Sequence, residues 1–154
     1  MKKISWPGCL VLCSVLLASC ASGRSVPAAQ QGPSLNKRAL AQQLVQRDWD
    51  LFAGFQRQDF SDRVSDEFMP DKYAFLNETE ASFHSATPLN FSFTIDKALM
   101  QGQKLAVTFS WQKKAASRST GSLILKEGRC TTVYQNQNGQ WLIYKIQGNS
   151  IFTF

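Results

Sequence analysis

Apolar residues recur with two different periods along this 154-residue chain. Between Leu35 and Gln58, Leu40, Leu44, Leu51 and Phe55 fall at intervals of three or four residues or their multiples, with Val45 and Phe52 beside them. Lys37, Arg38, Gln42, Gln43, Gln46 and Arg47 supply the polar side. That spacing predicts a long helix, with Ser34 after Pro33 as its N-cap. Gly54 is a soft spot within it, costing about 1 kcal/mol against Ala. Phe60 to Phe68 predicts a second, short helix with Ser61 as cap and Val64 and Phe68 on one face. Met69-Pro70-Asp71 stops it, because proline disfavours helix in the residue before it. Tyr73 to Ser85 fits either a short strand or a third short helix, and Pro88 closes that segment.

Beyond Pro88 the period becomes twofold. Phe91, Phe93 and Ile95 alternate with Ser92, Thr94 and Asp96. Gln101-Gly102-Gln103 makes a turn, and Leu105, Val107, Phe109 and Trp111 alternate with Ala106, Thr108 and Ser110. A polar loop is expected from Lys113 to Thr120. Ser122 to Lys126 and Cys130 to Gln135 form the next strand or strand pair, broken at Glu127-Gly128. Asn136-Gln137-Asn138-Gly139 is a hairpin turn leading to a last strand, Trp141 to Ile146, with Gly148 marking a bulge. Helices first and consecutive hairpins afterwards predict an α+β domain, an antiparallel sheet covered on one face by helices.

The N-terminus has a different grammar. Met1-Lys2-Lys3 is followed by an apolar stretch from Ile4 to Leu17 and then by Ala18-Ser19-Cys20. A positive start, a short apolar core and small residues at its end make a secretory signal. The strongly apolar part, Cys9 to Leu17, is about half the ~20 residues that a membrane span requires. Leu17-Ala18-Ser19-Cys20 resembles the bacterial lipobox. The resemblance implies cleavage between Ser19 and Cys20 and diacylglycerol on the Cys20 thiol. Two or more acyl chains anchor a protein stably. Ala21, rather than Asp, after the cysteine favours the outer membrane, facing the periplasm, by analogy with enterobacterial sorting. Ala21 to Pro33 is rich in Ser, Gly, Pro, Ala and Gln without apolar periodicity, as a tether is. The expected organisation is thus a signal peptide (1–19), a lipidated cysteine with a flexible linker (20–33) and one folded domain (34–154).

The helix around Asp48-Trp49-Asp50-Leu51-Phe52, the exit Phe68-Met69-Pro70-Asp71 and the run Gly139-Gln140-Trp141-Leu142-Ile143 carry a second likeness. Together with the element order, they resemble the NTF2-like, or cone-fold, superfamily, which includes SnoaL-like and ketosteroid-isomerase-like proteins. The resemblance implies a long helix and two shorter ones packed inside a strongly curved antiparallel sheet. These motifs make turns and fill cores; they imply fold, not function.

Some proteins of that superfamily are enzymes. Ketosteroid isomerases use an Asp base, with a Tyr and a protonated Asp as oxyanion donors. Such chemistry needs a carboxyl group on the inward phase of the sheet. The apolar phase here (Phe91, Phe93, Ile95, Leu105, Val107, Phe109, Trp111, Trp141 and Ile143) has none, and Asp96 falls on the other phase. A slip at a bulge would reverse that assignment. His84 has no carboxylate partner at a recognisable spacing, so a solvated or capping role outweighs that of general base. Asp48, Asp50, Asp59, Asp62, Asp66 and Glu67 are expected on solvated helix faces. Once Cys9 and Cys13 leave with the signal and Cys20 is acylated, only Cys130 remains, and a buried strand position suits it best. No set of ligands converges for a metal, and no phosphate loop or nucleophile elbow calls for a cofactor.

Charge adds little. Seventeen Lys and Arg stand against eleven Asp and Glu, a net +6, with no basic run longer than Lys113-Lys114. That makes nucleic acid a poor partner. The aromatic residues Phe52, Phe55, Phe91, Phe93, Phe109, Trp111 and Trp141 either line a cavity for an apolar ligand or fill the cone. The sequence therefore supports a lipid-anchored, non-catalytic module for an apolar ligand or an envelope protein, of open oligomeric state. The alternative is a SnoaL-like enzyme, of isomerase or hydrolase type, acting on a small hydrophobic substrate.

Overall fold

A computed structural model of the protein describes residues 36–154. The expected signal peptide, the expected lipidation site Cys20, the expected linker and the expected N-cap Ser34 all lie outside the described residues. The first helix, α1 (Lys37–Ala53), is capped by Asn36, whose side chain accepts from Ala39 N. Its buried stripe is Ala41, Leu44, Val45, Asp48, Trp49 and Phe52, which is one face at three- and four-residue spacing. The face is rotated from the expected one, and Leu40 and Leu51 lie at its margin. Gly54 is the C-cap rather than an interior residue. Gln56 N bonds Leu51 O at 3.0 Å and Phe55 N bonds Phe52 O at 3.1 Å, the pairing of a Schellman end. The left-handed position is held by Phe55 at φ 56°, where glycine is usual.

The expected helix from Phe60 to Phe68 does not form. A short α2 (Arg57–Ser61) ends at the residue expected to start it, and β1 (Val64–Met69) follows. Val64 and Phe68 share a face in a strand as well as in a helix, because a spacing of four fits both periods. Pairing decides the matter: Ile143 N donates to Arg63 O at 2.7 Å, and β1 runs parallel to β5. Tyr73 to Ser85 is helical. α3 (Lys72–Ser85) starts at Asp71, whose carboxylate accepts from Tyr73 N and Ala74 N.

The strands are β2 (Ala86–Gln101), β3 (Lys104–Ser117), β4 (Leu123–Gln137) and β5 (Gln140–Gly148), in the order β1-β5-β4-β3-β2. Pro88 lies within β2, on an edge strand where a missing N–H is tolerated. β2 bulges between Pro88 and Asn90 and again between Ile95 and Lys97. The second bulge shifts the inward set from Phe91, Phe93 and Ile95 to Ala98 and Met100, and Asp96 goes outward to Arg129 Nε at 2.9 Å and Ser110 Oγ at 3.0 Å. Two further expectations are corrected. Lys113 to Ser117 belongs to β3, so the polar loop shrinks to residues 118–122. β4 runs unbroken through Glu127-Gly128. The Asn138-Gly139 turn is as expected, with φ of 53° and 85°.

Bulges bend and twist a sheet, and the helices fill its concave face. Phe52 is fully buried, with ring centroids of Trp49, Phe60, Phe83, Phe152 and Phe154 between 5.0 and 6.3 Å away. Replacing it by Ala removes a filled site that cannot collapse. Phe52→Ala is expected to lower unfolding free energy by about 3–5 kcal/mol, read from urea midpoints. Leu99→Ala, at a residue 52% exposed, is expected to change it by no more than about 0.5 kcal/mol.

Candidate functional site

The concave interior holds two ionisable groups expected elsewhere, Asp48 on a solvated helix face and Lys113 in a polar loop; both are buried. Asp48 occupies a core position of α1, four residues from Leu44 and from Phe52, and is completely buried. Its Oδ1 accepts from Arg47 Nε at 2.7 Å, while Arg47 Nη2 also reaches the Trp141 carbonyl at 3.2 Å. The Tyr134 phenol, on the inward face of β4, acts on the same carboxyl, although Oδ2 has no hydrogen bond of good geometry. Burial pushes Asp48 up to about 6; Arg47, then Tyr134 and Arg63, oppose that rise. Burial and the neighbouring Asp48 carboxylate drive the Tyr134 hydroxyl well above its ordinary range.

Lys113 is the second group. It follows Trp111 on the inward phase of β3 and is 2% exposed. Its Nζ donates to Ile151 O at 2.7 Å and Thr153 O at 2.6 Å. The Phe154 and Trp111 ring centroids lie 4.2 and 5.0 Å from it. Burial first, and the charge of Lys126 second, push it down to about 7.

Lys113 is one of three side chains that hold a segment following β5, Asn149–Phe154. Gly148 turns the chain at φ +88°, and a Cβ there would meet Arg129 O at 2.7 Å. Asn149 then passes over Gly128, where a Cβ would meet Asn149 Cβ at 2.9 Å and Trp111 Cζ2 at 3.0 Å. Trp111 Nε1 donates to Asn149 O at 3.0 Å, and Phe154 N donates to Ser82 Oγ at 3.1 Å. Ile151 and Phe152 are buried. The Phe152 ring packs edge-on to Phe60 at 4.9 Å and Phe75 at 6.0 Å.

The structure brings the seven aromatic candidates to one side of the sheet without giving them one role. Phe52, Phe109 and Trp111 are in the core, while Phe55, Phe91, Phe93 and Trp141 are half-buried against it. Phe91 stacks on Trp49 at 4.3 Å. Phe55 packs against Phe83 under the guanidinium of Arg118. Cys130 is buried beside Thr132, and burial pushes its thiol up to about 11. His84 does have a carboxylate partner, contrary to expectation: Nε2 lies 3.0 Å from Glu80 Oε1 one turn earlier, and Glu80 also pairs with Arg57. Both His84 and Glu80 face solvent. Among the described residues no cluster of His, Cys, Asp or Glu suits a metal ion, and no helix is long and apolar enough to cross a membrane. A cleft of about 740 Å³ lies along the polar side of α1, at Gln42, Gln43, Gln46 and Asp50.

No protein-family model matches the chain, and no curated protein is significantly similar to it in sequence. Solved structures are informative. A conserved protein from Planctomyces limnophilus is 18% identical, with a TM-score of 0.60 over 72% of this chain and 97% of that one. A ketosteroid isomerase-like protein from Erwinia carotovora atroseptica is 9% identical, with a TM-score of 0.62 over 76% and 98%. An NTF2-like superfamily protein from Salmonella enterica is 12% identical, with a TM-score of 0.55 over 73% and 92%.

The domain has an NTF2-like fold. The resemblance inferred from Asp48–Phe52, Phe68–Asp71 and Gly139–Ile143 is correct at that level, and identities this low carry nothing about ligand or reaction.

An NTF2-like interior with an acid and a base buried in it has a definite pH signature. Asp48 holds its proton more tightly folded than unfolded, since its pKa rises from 3.8 to about 6. Its contribution to stability is therefore present below about pH 4 and lost as pH rises through 6. Lys113 falls from 10.5 to about 7, so its contribution is present at high pH and lost as pH falls from about 10 through 7. Between them, these two groups predict a stability minimum near pH 6–7. In melting temperatures measured from pH 4 to 10, Asp48→Asn is expected to flatten the acid limb and Lys113→Met the alkaline limb. Curves parallel to wild type for both variants contradict these assignments.

Proposed function

We propose that the protein is a membrane-anchored periplasmic lipoprotein whose NTF2-like domain is a non-catalytic binding or interaction module of the cell envelope. The anchor rests on Leu17-Ala18-Ser19-Cys20 behind a short apolar run, and Ala21 favours the outer membrane. The non-catalytic reading rests on one observation: the interior where a substrate would react is occupied by the chain itself. Rings of α1, α2, α3 and the segment after β5 meet at Phe52. Arg47 engages Asp48, and two backbone carbonyls engage Lys113. A general base must lie within hydrogen-bond reach of the proton it takes, and both groups are enclosed by the chain's own packing.

One observation favours the SnoaL-like enzyme as second reading. A buried carboxyl with a raised pKa beside a buried tyrosine is the pair of residue types that oxyanion stabilisation uses. Asp48→Asn abolishing an isomerase activity of the purified chain, with its melting temperature kept, would support that reading.

The anchor is tested by growing the host with labelled palmitate. Wild-type chain is expected to incorporate label and to fractionate with the outer membrane, and Cys20→Ser to incorporate none. Label retained by Cys20→Ser, or absent from wild type, contradicts lipidation at this residue.

A further inference from the structure

Asn149–Phe154 belongs to no helix or strand. Its last backbone–backbone bond to the sheet is Asn149 N to Arg129 O at 3.1 Å. From there it is held as a ligand is held. Its rings enter an aromatic cage, and its backbone oxygens meet a few fixed donors, Trp111 Nε1 and Lys113 Nζ.

The ammonium of Lys113 is the anomaly in that arrangement. The salt bridges of the described residues involve Arg47, Arg57, Lys72, His84 and Arg129, but not Lys113. Its hydrogen-bond partners are two neutral carbonyls, ring faces lie beside it, and the nearby charge of Lys126 repels it. A buried charge without a counter-ion keeps much of its desolvation cost, and a carboxylate gives charge-assisted bonds roughly twice as strong as neutral ones. An incoming carboxylate thus gains at Lys113 more than the two carbonyls it replaces.

We propose that Asn149–Phe154 is a displaceable plug, and that the space it leaves receives an apolar molecule ending in a carboxylate, the carboxylate on Lys113 Nζ and the chain among Phe52, Phe60 and Phe75. The proposal rests on the reading of the domain as a binding module and names its ligand class. Gly148 is the pivot, already in a conformation open to glycine. Trp111 Nε1, released from the segment, becomes a further hydrogen-bond donor for the carboxylate. A long-chain carboxylate and an acyl product of envelope lipid turnover share this chemistry.

The test is hydrogen exchange of the purified full chain, followed by mass spectrometry of the peptide covering Gly148–Phe154, with dodecanoate and dodecanol as probes. Dodecanoate is expected to accelerate exchange of that peptide while the β3 and β4 amides stay protected. Dodecanol is expected to bind about tenfold more weakly or worse. Lys113→Met should remove the preference for dodecanoate, and Phe154→Ala, which loosens the plug but keeps every donor, should tighten dodecanoate binding. Unchanged exchange at Gly148–Phe154 with saturating dodecanoate overturns the proposal, as does equal affinity for the two probes or a Lys113→Met chain that keeps the preference. Protection of the strand amides shows in each case that the variant is folded. The readout does not depend on Cys20, so it fails separately from the anchor reading.

Discussion

Five aromatic rings converge on Phe52, from its own helix, from α2 and α3 and from the segment after β5. Each buried ring contributes roughly 1.5–3 kcal/mol through removal from water, and favourable ring pairs add about 0.5–1.5 kcal/mol each. A sheet bent by bulges makes a hollow that three helices of this length do not close by themselves. Filling it requires Phe152 and Phe154 as well. The position of the segment after β5 is therefore a consequence of sheet curvature, and the two glycines that steer it, Gly128 and Gly148, are where side chains would collide with it.

Burying Asp48 and Lys113 in this hollow opposes the gain. Each has lost water and has only partial compensation: Asp48 Oδ2 lacks a partner, and Lys113 has neutral acceptors only. Replacing buried charges with apolar residues is often neutral or stabilising, so packing does not explain their presence. In Lys113 the charge sits where the plug is attached, which ties the cost to the one element of the interior that no ladder holds. Asp48 and Tyr134 sit deeper, against α1 and β4, and bind the helix to the sheet through Arg47 and the Trp141 carbonyl.

Much of the fold was legible in the residues. The change from helical to twofold period near Pro88, the Asn138-Gly139 turn and the Gly139–Ile143 run led to the right class and to the NTF2-like cone. What failed has physical reasons. Val64 and Phe68 are four apart, a spacing that strand and helix share, so only pairing to β5 could decide. α3 buries Thr79 and Ser82 on its inner face, which blunts its apolar period. The helix α1 was recognised but its face was misplaced, because Asp48 holds a core position that a search for apolar residues skips. Lys113 escaped for the same reason. Extending the alternation of Leu105, Val107, Phe109 and Trp111 by two residues places it inward. The site was less legible than the fold, because its two charged members are exceptions to the pattern that builds the core around them.

This NTF2-like interior is closed by its own chain, with Lys113 pinning the closure. Nuclear Overhauser contacts in the unliganded protein test it most directly. Contacts are expected from the Phe154 ring to the Lys113 ε-methylene and to the Phe52 ring, with the lysine protons shifted upfield by the ring above them. Random-coil shifts for Ile151–Phe154, with no contact to Lys113 or Phe52, would contradict it.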